Sequence, residues 1–109
     1  MEKLDREILE WIAINSADAA LANQIRSAIV LKRDYMRTGF FVYLSADSDL
    51  PEVGKNIRPD APDILSPELM DGAGSTLFLR DGRLHYLEIY ARGGFFPEQL
   101  GKYELAAAS

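Results

Sequence analysis

No cysteine occurs in the 109 residues, which excludes a disulfide scaffold, a thiolate metal site and a cysteine nucleophile, and fits a reducing compartment. Histidine is nearly as scarce. His85 stands alone, so no site can be built on two imidazoles, and no Gly-x-Ser-x-Gly step offers a serine for it to activate. Long apolar runs are missing too. The longest, Ala28 to Leu31 and Phe40 to Leu44, are far short of the roughly 20 residues of a membrane span. The start, Met1 to Glu7, alternates in charge instead of leading into the apolar stretch of a signal peptide, so the expected location is cytoplasmic. Excess positive charge is also absent. At net −5 the chain has no basic face with which to release counterions, so neither nucleic acid nor membrane is expected as a partner.

Metal and phosphate signatures break off early. Asp47-Ser48-Asp49 starts like a calcium loop but continues as Leu50-Pro51-Glu52, without the third oxygen ligand and the glycine. Asp71-Gly72-Ala73-Gly74-Ser75 is glycine-rich but precedes a strand, whereas a phosphate cradle needs a following helix N-terminus. No metal and no cofactor are expected.

What is present reads as one α+β domain over residues 1–109, 48% hydrophobic and 27% charged. A chain this long buries roughly two-thirds of its unfolded surface and needs no staple to fold. Residues 2–26 read as two helices. Leu4, Ile8, Trp11 and Ile12 form the apolar stripe of the first, and Ser16 is the expected N-cap of a second from Ala17 to about Ile25. Residues 27–46 read as a hairpin turning at Arg37-Thr38-Gly39, with Ile29, Leu31, Arg33 and Tyr35 on one face of its first strand.

Residues 47–71 read as a long irregular insert. They hold four of the five prolines, and their seven acids against Lys55 and Arg58 carry the whole charge excess of the chain. Residues 75–91 give the clearest element, a hairpin turning at Asp81-Gly82, both of which tolerate positive φ. A two-residue loop sets Arg80 opposite Arg83, Leu79 opposite Leu84, Phe78 opposite His85 and Leu77 opposite Tyr86. The tail is punctuated by glycine, with Phe95-Phe96-Pro97 expected at the surface and residues 105–109 expected to fray. The predicted architecture is therefore two N-terminal helices on a four-stranded antiparallel sheet made of two hairpins.

Glu88 is the one candidate catalytic residue. A half-buried carboxylate flanked on its own face by Tyr86 and Tyr90 could serve as a general base, and the ordinary alternatives are a cross-strand pair with an arginine or a place on a solvated face. His85 points to the opposite face at that spacing, which argues against a dyad. The candidate ligand-binding set is Tyr43, Gly72, Gly74, Tyr86, Glu88 and Tyr90, and Phe95 and Phe96 are the candidate interface.

Taken together, Gly39-Phe40-Phe41, Gly72-Ala73-Gly74, Arg80-Asp81-Gly82-Arg83-Leu84 and Leu87-Glu88-Ile89-Tyr90 make residues 27–97 resemble a group of small uncharacterised bacterial proteins. In these a Gly-Ala-Gly step is followed by a hairpin ending Leu-Glu-x-Tyr. The resemblance implies a fold and the recurrence of Glu88 and the glycine step, and no activity. The leading expectation is a non-catalytic interaction or regulatory module with a protein partner or a second copy of itself. The alternative is a small-ligand binder or acid/base enzyme around Glu88 and the Gly72–Gly74 step.

Overall fold

Apolar side chains at helical spacing wind Lys3–Asn15 into α1, and the computed structural model, which describes residues 1–108, buries Leu4, Ile8, Leu9, Ile12 and Ala13 along it. Helix α2 spans Ala19–Ser27, later than the sequence predicts, because Asp18 caps it in place of Ser16. The Asp18 carboxylate accepts the Leu21 N–H at 2.9 Å, and the Ser16 hydroxyl accepts the Asp18 N–H at 3.0 Å. A charged acceptor there also meets the positive end of the helix.

Among the described residues six strands form one sheet: β1 (Ile29–Tyr35), β2 (Gly39–Ser45), β3 (Asp63–Leu65), β4 (Ala73–Arg80), β5 (Arg83–Ala91) and β6 (Glu104–Ala106). Their order is β1-β2-β5-β4-β3-β6, and every neighbouring pair is antiparallel. The α+β class and both hairpins agree with the sequence, but the predicted count of four strands does not. The insert contributes β3, and the tail expected to fray contributes β6, with Asp63, Ile64 and Leu65 facing Ala106, Leu105 and Glu104. Strands of three residues are too short to show an alternation. They form because Ile64 is fully buried and β4 offers an edge.

Tertiary contacts organise the insert further. The Arg83 guanidinium donates to the carbonyls of Leu50 at 2.6 Å and Ser48 at 3.2 Å, and the Val53 N–H donates to the Gly82 carbonyl. Asp63 pairs with Arg92 at 2.6 Å, and Glu68 accepts the Gly101 N–H at 2.7 Å. The acids of this segment are thus partly structural, and the description of 47–71 as one irregular insert is corrected. Its pinned ends flank an exposed stretch at residues 54–58.

The helices and one sheet face share a single core in which Phe40, Val42, Leu77, Leu87 and Ile89 meet Ile8, Ile12, Leu21 and Ile25. The molecule is 20 Å thin at its narrowest. That accommodates one helix layer of about 10 Å on the sheet and no second layer. Polar groups inside this core are matched. Fully buried Asp5 takes a two-pronged bond from Arg33, 2.7 and 3.2 Å, while the guanidinium lies 3.8 Å from the Phe40 ring centre. Burial pushes the Asp5 carboxyl up from its ordinary value, and Arg33 only partly pulls it back.

Two bulges break the expected alternation. In β1, Ile29 and Val30 face Ser45 and Leu44, but Lys32 then faces Tyr43, leaving Leu31 extra. Ile29 is therefore on the opposite face from Arg33 and Tyr35, not the same one. In the second hairpin Arg80 faces Arg83 and Leu79 faces Leu84 as expected, but Phe78 faces Tyr86 and Leu77 faces Leu87, with His85 extra. A slip of one residue exchanges faces in a structure of period two.

Candidate functional site: the uncovered aromatic face

The bulge at His85 brings four aromatic side chains together on the face the helices leave open. Tyr86 stacks on Phe78 with ring centres 4.5 Å apart and lies 5.8 Å from Tyr43 and 5.9 Å from Phe41. His85 meets the same ring edge-on at 5.0 Å. Phe41, Tyr43, Tyr86 and Glu88 are half-buried by one another, and Phe78 is 36% exposed. In the unbulged register Phe78 would have faced His85, and Tyr86 would have shared the core with Leu77.

Glu88 lies within this surface, directly between Phe41 on β2 and Thr76 on β4. Neither neighbour is basic, so the cross-strand arginine pair does not form, and among the described residues Glu88 has no ion-pair partner. At the sheet margin Lys32 and Asp34 pair with each other at 3.4 Å. The surface is an apolar aromatic patch with one free carboxylate inside it.

Two contacts hold the hairpin that carries the patch. Gln24 is fully buried in α2. Its amide nitrogen donates to the Pro51 and Gly82 carbonyls, each at 2.9 Å, and its oxygen accepts the Leu84 N–H at 3.1 Å. The Leu84 N–H emerges past the end of the β2–β5 pairing, which stops at Tyr43 opposite Tyr86, so no strand can satisfy it. The turn closes through Asp81 and Gly82, with φ of 52° and 74°.

Of the predicted ligand set, Tyr43, Tyr86, Glu88 and Tyr90 lie on strand positions of this face. Gly74 lies beneath Tyr90: a Cβ there would collide with the Tyr90 ring and hydroxyl, so the residue must be glycine for the ring to lie flat across β4. Gly72, at φ 70°, turns the chain into β4 next to the Ile64 carbonyl. The glycine step therefore serves close packing at the base of the sheet. The predicted interface pair is split. Phe95 is 64% exposed under the Arg37 guanidinium, but Phe96 is fully buried, edge-on to Phe40 at 5.4 Å, and its exposure is corrected. The Phe96 N–H donates to the Arg37 carbonyl and its own carbonyl accepts from the Tyr35 hydroxyl, which draws the ring inward.

Sequence reading misses Gln24, because an amide in an alanine-rich helix resembles any surface glutamine. It also misses the joint role of Phe41 and Phe78, because no pattern in the chain announces a bulge. Comparison of the chain with protein-family models, with curated proteins and with solved structures returned no match. No helix among the described residues is long and apolar enough to cross a membrane.

Proposed function

We propose that the chain is a non-catalytic interaction module that docks a protein partner on its uncovered sheet face, with Tyr86 as the central anchor and Glu88 as the charged contact. The observation that carries this reading is the cluster of Phe41, Tyr43, Phe78 and Tyr86 on a face with no covering layer. Rigid aromatic side chains give large contact area at small entropic cost and are enriched where proteins meet. The carboxylate among them suits an arginine or lysine of the partner, which would gain a charge-assisted bond on a desolvated surface.

The test is partner capture from the protein's own cells with three forms: wild type, Tyr86→Ser and Phe95→Ser. A stoichiometric partner lost with Tyr86→Ser and kept with Phe95→Ser supports the reading. A partner that survives Tyr86→Ser and disappears with Phe95→Ser moves the interface to the tail and overturns it. Glu88→Gln separates docking from acid/base chemistry, since a docking carboxylate contributes affinity and a general base contributes turnover.

A further inference from the structure

We infer that the outer edge of β4 accepts an extended peptide as an added strand, a second site that does not depend on the aromatic face being the docking surface. The ladder phase follows from two bonds. The Arg92 N–H donates to the Gly72 carbonyl and the Ala91 N–H donates to the Thr38 carbonyl, so even-numbered residues of β4 up to Phe78 face β5. The backbone of Ser75 and Leu77 faces outward, as does that of Leu79, which lies between Phe78 and the hairpin-closing Arg80.

β3 covers only the beginning of this edge, through Ile64 opposite Ala73. Extending that register would set Pro62 against Ser75 and Asp60 against Leu77. Pro62 has no N–H to give at the position where the ladder requires one. The Ser75 hydroxyl bonds the Pro62 carbonyl at 2.6 Å instead, and the chain turns away. No backbone bond joins Leu77 or Leu79 to the departing segment among the described residues.

What remains is a groove of about 820 Å³ between this edge and residues 52–59. Leu77, 3% exposed, forms part of its floor, with Leu79, Val53 and Ile57 around it. Backbone groups already withdrawn from water and still unpaired gain most from a strand that bonds them. The charges that line the groove itself are polarised along it. Glu52 and Asp81 stand at the hairpin tip, Glu52 packed against Gly82, and Lys55 and Arg58 stand on the outer wall toward Pro62. None of the four has an ion-pair partner among the described residues. A strand antiparallel to β4 enters at the tip, so its complement is a base near its N-terminal end, an acid toward its C-terminal end and β-branched residues between. The overhanging wall suits a single strand better than the edge of a second copy.

The probe is the acetylated, amidated hexapeptide Lys-Val-Thr-Val-Glu-Val, titrated into the full chain and followed by amide NMR and hydrogen exchange. The expected result is slowing of exchange at Leu77 and Leu79 by about tenfold or more, with two copies N-methylated on alternate residues behaving oppositely, one binding and one not. Exchange unchanged at saturating peptide overturns the proposal, and so does equal behaviour of the two methylated copies. Shifts confined to Phe41, Tyr43 and Tyr86 would assign the peptide to the aromatic face and overturn the edge site, leaving the docking reading intact. Protection that grows with protein concentration alone would assign the edge to a second copy and overturn the peptide site as well. The Lys55→Glu, Arg58→Glu variant, altered only at exposed positions, leaves acids at both ends of the groove and should favour Lys-Val-Thr-Val-Lys-Val over Lys-Val-Thr-Val-Glu-Val by about tenfold. An unchanged preference counts against the polarity.

Discussion

The two faces of the sheet are made by alternate residues of the same strands, yet they differ in kind. Toward the helices point Phe40, Val42, Leu77, Leu87 and Ile89, all buried and all but Phe40 aliphatic; away from them point Phe41, Tyr43, Phe78 and Tyr86, aromatic and part-exposed. Aliphatic side chains on the inner face make a dense core. Rings left on a face without a second layer give up part of the burial that would reward them. The contrast teaches that the inner face accounts for folding, and the outer one is the face we propose for docking.

That division can be broken most forcefully from the inside. Leu87→Ala, at a fully buried centre of the inner face, should cost about 3 kcal/mol in denaturant unfolding. A loss below about 1 kcal/mol would show that the inner face is not the core.

Gln24→Ala tests the clamp between the two layers. It leaves the buried Leu84 N–H without an acceptor, for an expected loss of about 2 kcal/mol, and the Leu84 amide should exchange faster than those of β2. Equal acceleration across the sheet would mean that the clamp does not act locally.

On the outer face, Tyr86→Ala should cost only about 1 kcal/mol of stability, because the ring is partly exposed and its loss opens to solvent instead of leaving a closed cavity. The same change should weaken partner binding by more than about 30-fold. A stability loss as large as that of Leu87→Ala would erase the distinction between the faces.

The smallest effect is a titration. Burial, and then the bond that Tyr103 donates to Glu7 at 2.5 Å, push this phenol up from 10.0 to about 12. A raised folded value means that its stabilising contribution is complete below pH 10 and is lost as pH rises through about 12. Phenolate difference absorbance should show one tyrosine titrating late, and Glu7→Gln should bring it earlier. Titration of all tyrosines together would remove this contact from the account.

Much of the frame is legible in the residues alone. The spacing of Leu4, Ile8 and Ile12 predicts α1, Asp81-Gly82 predicts the second turn, and Phe40, Val42 and Leu44 predict the inner face of β2. Of the site, Tyr43, Tyr86 and Glu88 stand out as candidates in the sequence, whereas nothing there joins Phe41 and Phe78 to them. The cause is His85: one extra residue reverses every later assignment, and nothing in the local alternation distinguishes a bulged strand from a regular one.

What the sequence by itself determined are the features whose energy is local: helical stripes, turn residues that tolerate positive φ, and Pro59 and Pro62, which cannot donate to a ladder. Only the tertiary structure decided the rest: β3 and β6, the burial of Phe96, the clamp at Gln24 and the slip at His85. Each depends on partners far along the chain, and a three-residue strand or a lone glutamine acquires its role only when those partners arrive.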